Sequence, residues 1–180
     1  MNKRLFIFLI PFFLEACTGN NSGQLSAKDS LTAGGDSLPF KPMYSSHFIP
    51  GNQNNVAVIL NVFKAWEKND MKVIKANFTD SVEFYFPTGD IFKNTIDSFI
   101  KIADEYFVDS LTKKEIIFYS WMSNHSVDRN EDWVNIWYKE IDTYKNGRID
   151  SLELQDDNLF SNGKIQKVYS HMRKLGPLHP

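Results

Sequence analysis

The sequence predicts an α+β fold in which a curved antiparallel sheet wraps around helices that precede most of it. Three observations indicate this. Helical periodicity dominates the chain up to about residue 107, whereas residues 114–173 show strand-like segments. Two Asn-Gly pairs, at 146–147 and 162–163, mark tight hairpins. The strands between these turns have about twelve residues, twice the usual length of about six, and such strands twist into a curved sheet.

Two helices are predicted first. Asn54 or Asn55 caps a helix that runs to about Lys68, and the Asn-Asp pair at 69–70 ends it and caps a shorter helix over 71–78. The apolar residues of the first helix recur at the spacing of one helical face: Val56, Ile59, Leu60, Phe63, and Trp66 or Ala65.

A short strand and a third helix follow. Residues 82–86 are predicted to form a strand that ends at the turn residues Pro87-Thr88-Gly89. A third helix is predicted over 95–107. The rest is β, with strands predicted at 114–125, 132–144, 148–160 and 164–173 and a polar loop at 126–131. The order helix, helix, strand, helix, four strands implies a curved antiparallel sheet that is open at one end.

The N-terminus is typical of an exported protein. Two basic residues precede a short apolar run, Leu5 to Leu14, which has fewer residues than the roughly 20 that span a membrane. The segment Leu14-Glu15-Ala16-Cys17 resembles the lipobox of bacterial (Bacteroidetes-like) lipoproteins, although Glu15 departs from that motif. An ordinary signal peptide beside a chance cysteine is the alternative. We therefore expect a signal peptide over 1–16 and a lipid anchor on Cys17.

Further expectations follow from this beginning. By resemblance to known sorting preferences, Thr18 after the anchored cysteine implies a protein of the cell envelope, on the outer membrane and facing the periplasm. Residues 17–39 are polar and lack aromatic side chains, which predicts a flexible tether. The folded domain is then 40–176. With Cys17 acylated, this domain has no cysteine for a disulfide, and a net charge of −2 gives no basic field for nucleic acid.

Several local motifs, in this order, resemble the nuclear transport factor 2-like superfamily and its SnoaL-like branch. They are Tyr44-Ser45-Ser46, Ala65-Trp66-Glu67-Lys68-Asn69-Asp70-Met71, Phe78-Thr79-Asp80-Ser81-Val82, Pro87-Thr88-Gly89, Asp132-Trp133-Val134-Asn135-Ile136-Trp137 and Asn162-Gly163-Lys164-Ile165. The resemblance implies a cone-shaped half-barrel and a homodimer formed through the outside of the sheet. It does not imply one activity, because the superfamily includes enzymes, binding proteins and association modules.

The resemblance also argues against one chemistry. Ketosteroid isomerase-like members carry a carboxylate just before the Pro-x-Gly turn and a tyrosine on the first helix. Here the first position is Phe86, and by register the second is Val62. Neither side chain exchanges a proton or donates a hydrogen bond, so we expect no enolisation of that type.

Other polar residues are weaker catalytic candidates. His125 ends a strand, and Glu83 shares a strand face with Tyr85; each is better explained as a solvated surface residue. The four histidines are scattered, and the run at 156–158 lacks the glycine and the closing glutamate of a calcium loop, so no metal or cofactor is expected.

Aromatic residues supply the main functional hypothesis. They form 14% of the chain, which suits either a bulky core or a cone mouth that holds a small apolar molecule. The candidate ligand-binding residues are Phe63, Trp66, Phe84, Phe86, Phe99 and Trp133. The sequence therefore predicts a tethered domain that binds a small apolar ligand or a protein partner. A lyase, cyclase or hydrolase that uses His125 or Glu83, and a structural dimerisation module, are the alternatives.

Overall fold

A computed structural model describes residues 39–174 of the chain. The predicted signal peptide, Cys17, His179 and nearly all of the predicted tether lie outside the described residues. No helix within 39–174 is both long and apolar enough to cross a membrane.

In the described part of the chain, three helices precede the long strands, as the periodicity predicts: α1 at Gln53–Glu67, α2 at Met71–Ala76 and α3 at Ile96–Ser110. Asp70 caps α2 and Thr95 caps α3 through their side-chain oxygens. The predicted cap of α1 is wrong, because Asn52 is the residue whose side chain accepts from the backbone N–H of Asn54. Asn55 is instead buried inside the first turn.

Seven strands form one sheet in the order β1-β4-β5-β6-β7-β2-β3. Their bounds are Phe48–Pro50 (β1), Phe78–Tyr85 (β2), Ile91–Thr95 (β3), Leu111–Ser126 (β4), Glu131–Tyr144 (β5), Ile149–Ser161 (β6) and Lys164–Lys174 (β7). The sequence analysis missed β1 and β3, because strands of three and five residues show little alternation. The four long strands are those predicted.

The sheet is curved and does not close, which confirms the predicted α+β class. Register shifts between Leu111 and Lys113, and between Phe118 and Ser120, bend β4 against β5. One pairing differs from the prediction of a wholly antiparallel sheet, since β2 runs parallel to β7. A local sequence pattern can predict that a segment forms a strand. It does not show which distant strand that segment pairs with, or in which direction.

The two Asn-Gly turns are of different kinds. Asn162 and Gly163 have φ of 51° and 74°, which fits the predicted type I′ turn. At the other turn only Gly147 has a positive φ, of 84°, and the backbone N–H of Tyr144 donates to the carbonyl of Arg148. This loop therefore has three residues and ends in a glycine bulge, so the expected type I′ turn is wrong there.

The helices pack against one face of the sheet. Ile59 of α1, Ile74 of α2, Val134 and Ile136 of β5, and Ile165 of β7 are at most 1% exposed and form the centre of the core. Because side chains alternate along a strand, the neighbours of Val134 and Ile136 face away from the helices. The inner face thus combines core residues with the walls of a cavity.

Candidate functional site

A cavity of about 220 Å³ lies between the helices and the inner face of the sheet. We call it the cone cavity. It is lined by Val62, Phe63, Trp66, Ile74, Phe78, Phe84, Phe86, Phe99, Tyr138, Glu140, Leu154, Asp156, Asn158, Ile165, Val168 and Ser170. Five of the six candidate ligand-binding residues are in this set. Val62 and Phe86, the two positions at which the sequence analysis looked for isomerase-like catalytic groups, are also in it.

Stacked aromatic rings form one wall of the cone cavity. The rings of Phe84 and Phe99 lie 4.1 Å apart and nearly parallel, and the ring of Phe86 is also nearly parallel to that of Phe84, with 6.1 Å between centroids. Phe63 meets Tyr138 edge to face at 4.8 Å. Phe86 is 39% exposed, which places it at the rim. These contacts hold the aromatic wall in place without filling the space beside it.

The opposite wall carries a buried acid. Alternation along β6 turns Asp156 inward together with Leu154 and Asn158. Asp156 is only 4% exposed. Its Oδ2 accepts a 2.9 Å hydrogen bond from the hydroxyl of Tyr138, whereas its Oδ1 is enclosed and has no hydrogen-bond partner among residues 39–174. A buried carboxyl oxygen without a partner is unusual in a folded protein.

Burial raises the pKa of Asp156 to about 7. The nearby hydroxyl groups of Ser170 and Tyr138 oppose this shift, whereas the negative charges of Glu140 and Asp157 add to it. Burial also raises the pKa of Tyr138 well above its usual value, so this phenol keeps its proton. The carboxyl group of Asp156 therefore exists in both protonation states near neutral pH, which suits a hydrogen-bond donor or a general acid.

A second polar group in the cone cavity belongs to an ion cluster. The ammonium of Lys114 lies 2.7 Å from Glu140 Oε1 and 2.7 Å from Asp142 Oδ1. Its side chain is 2% exposed. Burial raises the pKa of Glu140, and the charge of Lys114 counteracts the shift. Of these three residues, Glu140 is the one that lines the cavity.

The sixth candidate ligand-binding residue, Trp133, lies on the outer face of the sheet. There it lines a larger cavity, of about 620 Å³, with Tyr44, Phe48, Met122 and Asp157 among its neighbours. Asp157 already accepts hydrogen bonds from Asn135 and Gln155. Because this outer cavity is wide and its acid is already bonded, we place the candidate site in the smaller cone cavity.

The two weak catalytic candidates also lie away from the cone cavity. Glu83 accepts from the hydroxyl of Tyr85 at 2.6 Å and pairs with Lys93 and Lys167 at 3.0 Å each. These partners lower the pKa of Glu83 to about 2, with Tyr85 the largest contributor, so its carboxylate is a poor base. His125 Nδ1 lies 2.8 Å from Asp132 at the strand end.

Sequence reasoning missed Asp156, although a signal for it existed. Leu152 and Leu154 mark one face of β6, and the period of two residues places Asp156 and Asn158 on that same face. Polar residues that continue an apolar face point into a core. Between residues 39 and 174, no group of three or more histidine, cysteine, aspartate or glutamate side chains is placed to hold a metal ion.

Comparisons with known proteins bear on the fold alone. No protein-family model matches the chain, and no curated protein matches its sequence. Solved structures do match. A nuclear transport factor 2-like protein of unknown function from Burkholderia pseudomallei has 16% identity, a TM-score of 0.55, and coverage of 67% of this chain and 91% of that one. An LEH-like epoxide hydrolase of M. tuberculosis has 8% identity, a TM-score of 0.56, and coverage of 67% and 84%.

A third match is Bal32a, from a soil-derived mobile gene cassette, with 13% identity, a TM-score of 0.55, and coverage of 67% of this chain and 89% of that one. Likeness at such identities establishes the nuclear transport factor 2-like cone fold. It leaves the activity of this chain open, because one fold hosts many functions.

Proposed function

We propose that the domain binds a small, mostly apolar molecule in the cone cavity and that Asp156 holds one oxygen atom of that molecule. The observation that carries this proposal is the unpaired Oδ1 of Asp156, enclosed in a cavity whose other walls are mainly aromatic and aliphatic. A small apolar pocket with a few convergent polar groups and a shifted pKa is the usual form of a ligand site.

The hydrogen bonding of Asp156 indicates which atom of a ligand it would meet. Tyr138 donates to Oδ2, so a proton on the carboxyl group belongs on Oδ1. Entry of an apolar ligand removes water and favours this neutral form further. The O–H at Oδ1 then donates to an acceptor on the ligand, such as a carbonyl or ether oxygen. The ligand thereby removes the cost of about 1–3 kcal/mol of a buried unpaired group.

The size of the cone cavity limits the ligand. An apolar cavity of about 150 Å³ accommodates benzene, so a volume of about 220 Å³ suits a molecule with one ring and a short substituent. Burial of such a ligand supplies a few kcal/mol before association costs. The stacked rings of Phe84 and Phe99 are held in place before the ligand arrives, which lowers those costs.

Matched probes test the proposal. Acetophenone and ethylbenzene have similar size and shape, but only acetophenone has an acceptor oxygen. Titration calorimetry and the fluorescence of Trp66 should show tighter binding of acetophenone, with affinity falling as pH rises through about 7. Asp156→Asn keeps a donor and should remove the pH dependence, whereas Asp156→Leu should remove the preference for acetophenone.

The matched control is Asp157→Asn, which removes a charge from the neighbouring position on the opposite face of β6. The charge of Asp157 is the smallest of the contributions to the raised pKa of Asp156, so the preference for acetophenone should remain. Equal affinity for both probes, or a pH dependence that persists in Asp156→Asn, would contradict the proposal.

The pKa of Asp156 favours a second function, general acid catalysis. A carboxyl group that titrates near neutral pH can protonate an oxygen as its bond to carbon breaks. This chemistry serves the opening of an epoxide, in which a water molecule attacks the carbon as the protonated oxygen leaves it, and the loss of a hydroxyl group as water. Tyr138 would hold the acid in place through its hydrogen bond.

Turnover of styrene oxide and of 4-hydroxy-4-phenylbutan-2-one, followed by mass spectrometry, tests this second function. The wild type should act on at least one compound, with a rate that falls above pH ~7, and Asp156→Asn should lose about two orders of magnitude or more in rate. Equal rates in the wild type and Asp156→Asn would refute the catalytic role while leaving the binding proposal intact.

We also propose that a lipid anchor on Cys17 holds the domain at the outer membrane, facing the periplasm. The support is the sequence alone: the basic start, the short apolar run, and the resemblance of 14–17 to a lipobox.

A homodimer through the outer face of the sheet is proposed as well. Large side chains are exposed there, with Phe48 at 48%, Tyr119 at 55% and Met122 at 52%. Exposed apolar groups that lie together favour association. Sedimentation equilibrium should give a dimer for the wild type and a monomer for Met122→Asp, and an unchanged mass in the variant would argue against this surface.

A further inference from the structure

The cone cavity has two acidic groups, and their states differ. In the part of the chain that the structure describes, Asp156 has no cationic partner, and its Oδ1 has no hydrogen-bond partner. Glu140 is bound to Lys114 at 2.7 Å through Oε1. A carboxylate has about four lone-pair sites, so this ion pair leaves Glu140 able to accept a hydrogen bond from a ligand in the cavity that it lines.

The charges of the ion cluster also indicate that Glu140 can accept a hydrogen bond from a ligand. Lys114 supplies one positive charge, and Glu140 and Asp142 together supply two negative charges. All three residues are largely buried, with side-chain exposures of 2%, 17% and 9%. Buried charges are stabilised by partners, and two carboxylates share one ammonium here. A hydrogen-bond donor on a bound ligand would stabilise the surplus negative charge at Glu140, the member of the cluster that reaches the cavity.

The two acids also lie at separate places along the wall. Asp156 is paired in register with Ile136 of β5, and Glu140 lies four residues further along that strand. At the usual rise of a strand, their backbones are separated by ~13 Å along β5. The ring of Tyr138 lies between them, and its hydroxyl is committed to Asp156. An elongated ligand can therefore reach both acids at once.

We propose that the natural ligand is bifunctional: a flat, one-ring apolar molecule with an acceptor oxygen toward Asp156 and a hydroxyl or N–H donor toward Glu140. This inference rests on the proposed function and adds the substrate class. The rings of Phe84 and Phe99 would cover the apolar middle of the ligand. Phenolic ketones and aldehydes fit this description, whereas hydrocarbons and simple ketones satisfy only part of it.

Three probes and the full chain test the inference. Acetophenone supplies the acceptor, 4-hydroxyacetophenone adds a donor at the far end, and 4-fluoroacetophenone has a substituent of similar size that cannot donate. Calorimetry at pH 6 should show 4-hydroxyacetophenone binding about tenfold more tightly than the other two, because a hydrogen bond to a charged group has about that effect. Similar affinities for the hydroxy and fluoro compounds would overturn the inference without any variant being needed.

Two variants then distinguish the role of Glu140 from that of the ion cluster. Glu140→Gln keeps an acceptor oxygen but loses the charge, so it should remove most of the roughly tenfold difference in affinity between 4-hydroxyacetophenone and acetophenone. Asp142→Asn removes the other carboxylate from the same ammonium, outside the cavity, and should keep the gain. An equal loss in both variants, or no loss in Glu140→Gln, would overturn the inference. If acetophenone itself does not bind, the proposed function fails, whereas acetophenone binding without the hydroxyl gain refutes only the bifunctional ligand.

Discussion

The hydroxyl of Tyr138 donates a 2.9 Å hydrogen bond to Asp156 across two neighbouring strands, inside the core of the domain. The two residues come from β5 and β6 and are 18 positions apart in the chain. Antiparallel pairing of Tyr138 with Leu154, and of Ile136 with Asp156, places the two side chains on the same inner face. This diagonal relationship orients the acid on which the proposed function depends.

Tyr138→Phe should raise the pKa of Asp156 above about 7. The phenol stabilises the carboxylate by donating to Oδ2, and its removal favours the protonated form. Carbon-13 NMR of the aspartate carboxyl groups measures the titration. Tyr85→Phe, which removes the same kind of bond from Glu83 on the outer face, is the control and should not move the Asp156 resonance.

Asp156→Asn should change how stability depends on pH. The folded state holds a proton on Asp156 up to about pH 7, whereas the unfolded chain loses it near 3.8. Wild-type stability from this group is therefore full below about pH 4 and decreases as pH rises to about 7. The free energy of unfolding of Asp156→Asn, relative to wild type, should rise by about 2–4 kcal/mol between about pH 4 and pH 8.

Urea denaturation at several pH values measures this difference. Asp157→Asn is the control for the loss of one acid from β6, and it should show a much smaller change. A relative stability of Asp156→Asn that stays flat across this range would mean that Asp156 is ionised and solvated in the folded protein.

Lys114→Met should destabilise the domain by about 3–5 kcal/mol, because it leaves Glu140 and Asp142 buried without a cation. Lys113→Met, at the neighbouring position of β4, is the matched control. The Lys113 side chain is 60% exposed and pairs with the half-exposed Glu115, so its loss should cost less than about 1 kcal/mol. Comparable denaturation midpoints for the two variants would show that the buried cluster is not needed for stability.

Gly163→Val should cost about 1–3 kcal/mol through backbone conformation. A side-chain carbon at Gly163 would meet no atom within 4 Å, so its φ of 74° is the source of the cost. Asn162→Ala should be more costly than Asn146→Ala in backbone strain, because Asn162 has a positive φ and Asn146 does not. Thermal melts of the three variants test whether the two turns differ as described.

Cys17→Ser should release the protein from membranes if the cysteine carries a lipid anchor. Detergent-phase partitioning of wild type and variant measures this directly. A variant that still partitions with detergent and migrates like the wild type would refute the anchor.

Removal of the residues before Phe40 should leave the melting temperature within about a degree or two of that of the mature chain, because these polar residues supply little apolar surface. Calorimetry of the shortened and mature chains measures the difference. A large loss of stability in the shortened chain would show that the predicted tether packs on the domain.

Local chemistry in the sequence was sufficient for much of the fold. The apolar spacing of α1 and α3, the capping residue Asp70, and the Asn-Gly turn at 162–163 act over a few residues and are visible in any short window. The two Asn-Gly pairs, at 146–147 and 162–163, also mark where the long strands on either side of them begin and end. Phe63 and Trp66 of α1, Phe84 of β2 and Phe99 of α3 line the cone cavity. Each lies on the face of its helix or strand that packs toward the core.

Tertiary structure decided the rest. In the segment 133–138, both alternating sets contain large apolar residues, so local alternation cannot tell which face of β5 turns inward. Packing against α1 buries Val134 and Ile136 and turns Trp133 outward. The same register turns Asp156 inward, and its raised pKa comes from the water that the assembled core excludes. In an unfolded chain an aspartate carboxyl group has its ordinary pKa, and only the surroundings that the fold creates shift that pKa.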